Sequence, residues 1–123
     1  KYACSIFYAY IDPSAAGLAE ELKRKTREKP YQVLIKDAEN TVSLGISRVQ
    51  KVLMYQVLKV SPRQENLVRE FGTYEYDKNS VEKGKEVPVK EDDHCMDALR
   101  YLVMGFWKKI KHFLPAEERG EKD

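Results

Sequence analysis

Residues 2–14 are YACSIFYAYIDPS, and this stretch decides the fold class. From Tyr2 to Ile11, apolar side chains occupy both alternating positions, a pattern typical of a strand that is buried on both faces of a sheet. The run ends at Asp12-Pro13-Ser14, which predicts a turn. Asp12 is therefore expected at the carboxyl end of a central strand, the edge at which open α/β sheets bind their ligands.

Helices and strands are predicted to alternate along the next forty residues. A helix with an apolar stripe follows the turn and ends at Pro30. Residues 31–35 alternate in polarity as a second strand. Asn40 is expected to cap a second helix, in which Gly45 interrupts the apolar stripe and favours close packing.

The second half of the chain is predicted to continue this alternation. Residues 56–60 are expected to form a third strand, and Ser61-Pro62-Arg63-Gln64 carries the capping-box signature of a short helix. Residues 73–76 are predicted as a short strand, residues 78–91 as a polar loop and residues 92–113 as the last helix. The whole pattern predicts an α/β fold with a largely parallel core sheet.

Length, charge and cysteine content restrict the class of protein. The 123 residues suit one domain, which we predict over residues 1–114, followed by a charged flexible tail at residues 115–123. The formal net charge of +2 is typical neither of a strongly basic nucleic-acid binder nor of an acidic tail protein. Cys4 and Cys95 are expected to be buried free thiols in a reducing compartment. Since no apolar run can cross a membrane and no signal peptide opens the chain, we predict a cytoplasmic location.

Residues 92–101, DDHCMDALRY, bring three carboxylates and an imidazole into the first turns of the last helix. On helical spacing, Asp93 and Asp97 lie one turn apart, and His94 lies three residues before Asp97 on a neighbouring stripe. Crowded carboxylates raise one another's pKa unless a cation binds among them. The cluster therefore favours a site for Mg²⁺ or Mn²⁺, and His94 slightly favours Mn²⁺.

Each of these residues also has a structural interpretation. Asp12 before Pro13 is equally suited to cap the next helix. Asp92 and Asp93 suit the positive end of the last helix whatever the function, and His94 suits an ordinary surface hydrogen bond. Asp97 is harder to explain in this way because it lies inside the helix.

Basic and aromatic residues leave the partner open. Lys108, Lys109 and Lys111 can contact DNA phosphates, and solvated helix faces explain them equally well. His112 is most simply a cation at a helix C-terminus. Trp107 is expected in the core and not on a base-stacking surface.

Taken in order along the chain, these segments resemble the C-terminal nuclease domain of bacteriophage terminase large subunits, in the ribonuclease H-like superfamily. The matching segments are residues 10–16, 37–46, 61–76 and 93–101, and together they span most of the chain. The last segment is the most specific. The resemblance implies an α/β, ribonuclease H-like fold with a central mixed sheet flanked by helices, here without its first strand or strands.

The same resemblance implies a metal-dependent endonuclease that cleaves concatemeric viral DNA during genome packaging, with two Mg²⁺ or Mn²⁺ ions as cofactors. Asp12 then corresponds to the second catalytic aspartate of the family, Asp97 to the third and His94 to a histidine near the metals, while Asp93 is a further candidate ligand. The implied partners are double-stranded DNA and, in a full-length protein, an ATPase domain, the terminase small subunit and the portal, with no membrane. The implied location is the cytoplasm of the bacterial host of a phage or prophage.

Part of the family pattern does not occur in this sequence. The family places its first catalytic aspartate on an earlier strand, and no such strand precedes Lys1; a Gly-x-x-x-x-Gly-Lys phosphate loop is also missing. We therefore expect a fragment of a longer protein that alone cleaves slowly or not at all. Two alternatives stay open: another ribonuclease H-like nuclease or resolvase, and a non-catalytic fragment that docks on DNA or protein.

Overall fold

The computed structural model describes residues 8–28, 33–74, 84, 88 and 93–120. The chain divides into two compact units, Lys1–Asn40 and Thr41–Asp123. No helix within the described ranges is both long and apolar enough to span a bilayer.

The N-terminal unit is a strand, a crossover helix and a second strand. These elements are β1 (Tyr8–Ile11), α1 (Ala16–Thr26) and β2 (Leu34–Asp37). The two strands pair in parallel, with Ile11 opposite Asp37 at their carboxyl ends. A parallel pair needs a long connection, which α1 supplies while it buries Ala19. The predicted parallel pairing is thus confirmed, although the second strand lies at residues 34–37 and not at 31–35.

The C-terminal unit consists mainly of helices in the residues that the structure describes. Its helices are α2 (Val42–Met54), α3 (Glu65–Thr73), α4 (His94–Gly105) and α5 (Trp107–Ile110), followed by 3₁₀ turns at Lys111–Phe113 and Ala116–Glu118. Helices α2 and α3 both pack against α4. Six buried side chains form the core of this unit: Val49, Val52, Leu99, Val103, Trp107 and Leu114.

The predicted third strand at residues 56–60 is wrong, since these residues form the turn that follows α2. Gln56 has a φ of 57°, in the left-handed region. The Gln56 N–H donates to the Leu53 carbonyl at 3.1 Å and the Val57 N–H to the Val52 carbonyl at 2.9 Å. This is the bonding pattern of a Schellman motif, with glutamine where glycine is usual. Val57 then packs against the core of the unit instead of entering a sheet.

Helix starts and ends also differ from the sequence prediction. α2 begins after Thr41 and not after Asn40. Ser61 begins a turn, in which its carbonyl accepts the Gln64 N–H at 3.0 Å, so α3 starts only at Glu65. Thr73, expected in a short strand, is the last residue of α3; residues 75 and 76 lie outside the described part.

The last helix is shorter than predicted because it breaks at Phe106. The Phe106 N–H donates to the Leu102 carbonyl, and its own carbonyl accepts the N–H groups of Lys109 and Ile110. The break redirects the chain and leaves Trp107 only 4% exposed. The prediction that Trp107 belongs to the core is therefore confirmed.

The predicted boundaries, a domain over residues 1–114 and a flexible tail over 115–123, stay predictions. Within the described residues, the Lys51 ammonium on α2 donates to the Glu118 carbonyl at 3.3 Å and lies 3.8 Å from its carboxylate. The turn at Ala116–Glu118 is thus held against α2. Of the two predicted free thiols, Cys95 is free and half-buried, and Cys4 lies outside the described residues.

Candidate active site

Asp12 follows β1 directly and lies in the turn that leads into α1. Its Oδ1 accepts the N–H and the hydroxyl of Ser14, each at 2.9 Å. The Ala15 N–H donates to the Asp12 carbonyl at 2.9 Å. These bonds make an Asx turn, whose contacts lie within four residues of sequence. Asp12 is therefore at the carboxyl end of a parallel strand, as the sequence predicts, and its carboxylate also stabilises the turn.

The first turn of α4 is capped by a residue that the sequence analysis missed, Glu70 of α3. Its carboxylate accepts the N–H of Met96 at 2.9 Å and the N–H of Cys95 at 3.2 Å. Glu70 is 3% exposed. The first N–H groups of a helix have no partner inside the helix, so a buried carboxylate there satisfies two of them and stabilises the positive helix end.

Glu70 and Cys95 affect each other's pKa. Burial alone would raise the pKa of Glu70, but the N–H bonds from Met96 and Cys95 outweigh burial and lower this pKa. The hydrogen bond with Glu70, together with burial and the negative charge of Glu70, raises the pKa of the Cys95 thiol. At neutral pH the pair is therefore a carboxylate beside a neutral thiol.

The apolar residues of α3 predict an inward face that does not include Glu70. The pattern of α3 places Leu67, Val68 and Phe71 inward. In the structure Val68 is 48% and Phe71 37% exposed, while Glu70, three residues after half-buried Leu67, is buried. The face of α3 is therefore rotated toward Glu70. Glutamate at a helical stripe position was the available signal.

Asp97 lies in the first turn of α4, and its carboxylate is paired with Arg100. The Asp97 Oδ1 accepts a bond from the Arg100 Nη2 at 3.1 Å, with side chains 18% and 4% exposed respectively. An ion pair at this depth has a fixed geometry, unlike an exposed pair. Asp97 is thus an ordered carboxylate close to the surface.

Arg100 occupies the space left by Gly45 of α2. A Cβ atom built on Gly45 would lie 2.5 Å from the Arg100 Cγ and 2.7 Å from its Cδ. Such distances do not occur in folded proteins, so only glycine allows the stem of Arg100 to lie here. The predicted close packing at Gly45 is confirmed, and its partner is the arginine that binds Asp97.

Asp93 and His94 begin the same helix in different environments. Asp93 is at the N-cap position and 5% exposed, and its carbonyl accepts the Asp97 N–H at 2.8 Å. Its side chain makes no cap hydrogen bond, so the cap expected from an aspartate here is supplied by Glu70. His94 is exposed. Asp92 lies outside the described residues.

The predicted site residues thus fall on two elements. Asp93, His94 and Asp97 share the first turn of α4 in the C-terminal unit, and Asp12 follows β1 in the N-terminal unit. Within the described ranges, no three His, Cys, Asp or Glu side chains are arranged to hold a metal ion. The donors on α4 are of the right chemistry, since carboxylate oxygens suit Mg²⁺ and Mn²⁺, but by themselves they are an incomplete ligand set.

Comparison with known proteins assigns the family. The model of the terminase RNAseH like domain family matches residues 20–104, which include the first turn of α4 and begin after Asp12. The structure of the large terminase from a thermophilic bacteriophage, in complex with ATP-gamma-S, is similar with a TM-score of 0.69 and 32% sequence identity. The similarity covers 76% of this chain and 22% of that terminase, so the chain spans about a fifth of its length. No curated protein matches in sequence. The chain belongs to the terminase RNase H-like domain family, and its α/β fold is the ribonuclease H-like fold.

Proposed function

We propose that this chain is the metal-dependent endonuclease domain of a phage terminase large subunit and that it cleaves concatemeric viral DNA during genome packaging. Asp12 and Asp97 are the proposed ligands of two Mg²⁺ or Mn²⁺ ions, with His94 and Asp93 beside Asp97. The observation that carries the proposal is the ordered, near-surface carboxylate of Asp97 in the first turn of α4, in a chain of this family.

The residues of α4 suit this role for physical reasons. A carboxylate has lone pairs on both oxygens, so the bond that Asp97 accepts from Arg100 does not exhaust its capacity as a ligand. Glu70 holds the backbone of the same turn, which keeps the Asp97 Cα in place. When bound, two divalent ions make water nucleophilic at neutral pH and stabilise the charge on the leaving oxygen of a phosphodiester.

Asp12 supports the proposal through its position. Ligands of open α/β sheets bind at the carboxyl ends of the strands, and Asp12 follows β1 at that end. The Asx turn holds its carboxylate through Oδ1. Within a full-length terminase, we propose an ATPase domain, the small subunit, the portal and double-stranded DNA as partners.

Mn²⁺ binding, measured by electron paramagnetic resonance, tests the proposal. The parent chain is compared with Asp12→Asn and Asp97→Asn, which keep one oxygen for the bonds to Ser14 and Arg100, remove the charge and replace the second oxygen by an NH₂ group. Glu117→Gln, at an exposed carboxylate of the last 3₁₀ turn, is the matched control. Circular dichroism confirms that each variant is folded.

Loss of Mn²⁺ binding in both aspartate variants, with binding retained in Glu117→Gln, is the expected result. Mn²⁺-dependent nicking of supercoiled plasmid should then be lost in the same two variants, wherever the parent shows it. Equal binding in all four proteins would contradict the proposal and favour the non-catalytic docking function.

A further inference from the structure

The ion pair between Asp97 and Arg100 differs from the pairs of the same sequence spacing on α1. The Arg100 Nη2 donates to the Asp97 Oδ1 at 3.1 Å, and the two side chains are 4% and 18% exposed respectively. On α1, the side chains of Lys23 and Glu20 form a pair at 3.3 Å but are 41% and 73% exposed. An exposed pair adjusts to the solvent and contributes little to stability. The pair on α4 is instead held in one geometry by its surroundings.

Arg100 is held by close packing on α2 and by an aromatic ring. A Cβ atom added to Gly45 would lie 2.5 Å from the Arg100 Cγ, so the stem of Arg100 fills the space that this glycine leaves. The Arg100 guanidinium lies 5.0 Å from the centre of the ring of Tyr101, which is itself buried. Cation–ring contact and close packing both restrict the conformations of a side chain. The guanidinium that binds Asp97 is therefore a rigid anchor.

The backbone that carries Asp97 is fixed independently of Arg100. Glu70 accepts the N–H groups of Cys95 and Met96, the two residues that precede Asp97. With the backbone held in this way, the bond from Arg100 to Oδ1 restricts both side-chain torsions of Asp97. A side chain that is already ordered loses less conformational entropy when it binds a ligand. Asp97 is thus organised before any ion binds.

We infer that Arg100 is a positioning residue of the proposed metal site: it fixes the conformation in which Asp97 presents its carboxylate, and Gly45 provides the space that Arg100 needs. The inference rests on the proposed function and deepens it. Groups that hydrogen-bond to a metal-binding carboxylate orient it, and their removal costs about 10–100-fold in metal affinity. Arg100 acts through Asp97 and does not touch the ion.

A positive charge beside a metal ligand also has an opposing effect. The guanidinium of Arg100 repels a divalent ion and competes with it for the carboxylate of Asp97. Salt screens this repulsion near the protein surface, whereas the conformation of Asp97 does not depend on screening. The two effects differ in sign: loss of Arg100 weakens metal binding if orientation dominates and strengthens it if repulsion dominates.

The experiment measures Mn²⁺ affinity by electron paramagnetic resonance at about 0.15 M salt, where exposed charges are largely screened. Arg100→Met removes the anchor and keeps an apolar stem. Gly45→Ala leaves both partners of the ion pair in place and displaces only the stem of Arg100. Arg63→Met, at an exposed arginine, is the control for charge, and Gly72→Ala is the control for a helical glycine with nothing within 4 Å of the added Cβ.

The expected fall in Mn²⁺ affinity is about tenfold or more for Arg100→Met and about threefold or more for Gly45→Ala, with changes below about twofold in the two controls. Three-bond couplings of the Asp97 side chain, measured by NMR without metal, should show one χ1 rotamer in the parent and averaging in Arg100→Met. A residue that only stabilised α4 would change neither the couplings nor the Mn²⁺ affinity of the folded protein.

Equal or tighter Mn²⁺ binding by Arg100→Met would overturn the inference, and loss of binding in Asp97→Asn alone would then leave the proposed function standing. If circular dichroism shows that Arg100→Met does not fold, Gly45→Ala decides. An Mn²⁺ affinity of Gly45→Ala equal to that of Gly72→Ala would overturn the inference in that case. A parent chain that binds no Mn²⁺ would overturn both the inference and the proposed function.

Discussion

Two turns of this molecule carry the carboxylates proposed as ligands, and they are held in different ways. The turn after β1 is held by bonds from Ser14 and Ala15 to Asp12, all within four residues. The first turn of α4 is held by Glu70, 25 residues earlier in the chain, and by Arg100, which needs Gly45 on α2. The first turn is a local motif, whereas the second depends on three helices packing correctly.

This difference has an energetic consequence. The bonds of the Asx turn are exposed to water, which replaces them at little cost. The carboxylate of Glu70 and the guanidinium of Arg100 are almost fully buried, so loss of either side chain leaves its partner without a hydrogen bond in a largely buried place. Substitutions should therefore have large effects around α4 and small effects around Asp12.

The largest effect is expected for Glu70→Ala, which leaves the N–H groups of Cys95 and Met96 without their acceptor. We expect the free energy of unfolding to fall by about 3 kcal/mol in urea denaturation. Glu65→Ala, at an exposed glutamate of the same helix, is the control and should change it by less than about 0.5 kcal/mol. Similar losses in the two variants would show that α4 does not depend on this cap.

The pH dependence of the same residue sharpens the prediction. The pKa of Glu70 in the folded protein lies below its ordinary value of 4.5. Ionised Glu70 therefore contributes its full stability at pH values above 4.5. This contribution is lost as the pH falls through the folded pKa. The stability difference between the parent and Glu70→Gln should therefore shrink on acidification, as followed by unfolding at about pH 6 and about pH 3.5. A difference that grows on acidification would contradict the lowered pKa.

Changes of intermediate size in the free energy of unfolding are expected at two helical glycines, Gly45 and Gly72, and the two changes have opposite signs. Gly45→Ala gains helix propensity but forces the Arg100 stem to move, and we expect a net loss of about 1–2 kcal/mol. Nothing lies within 4 Å of a Cβ built on Gly72, so Gly72→Ala should stabilise the protein by about 0.5 kcal/mol. Thermal unfolding measures both. Stabilisation by both variants would mean that Arg100 does not need the space beside Gly45.

The smallest effect is expected in the N-terminal unit. Ser14→Ala removes the hydroxyl bond to Asp12 and keeps the backbone N–H bond to the same oxygen. Because both groups are exposed, we expect a loss of no more than about 0.5 kcal/mol in urea denaturation. A loss comparable with that of Glu70→Ala would erase the difference between the two turns.

Several features of the fold were predictable because their causes are close in sequence. A run of residues that is apolar on both faces indicated β1, and the Asp-Pro-Ser turn after it placed Asp12 at a strand end. Gly45 indicated close packing, although its partner was not predictable. A strand was predicted for residues 56–60 because their β-branched side chains favour strands. No strand forms there, because Gln56 adopts a left-handed conformation that ends α2.

The sequence by itself determined the α/β class, the turn at Asp12 and the helical turn that carries Asp93, His94 and Asp97. These features depend on patterns within a few residues, which local hydrogen bonds and side-chain alternation decide. Only the tertiary structure decided that Glu70 caps α4 and that Arg100 binds Asp97 in the space beside Gly45. Those contacts depend on three helices packing together, because Glu70 and Gly45 come from other helices, while the Asp97–Arg100 pair lies within α4 and is buried by that packing.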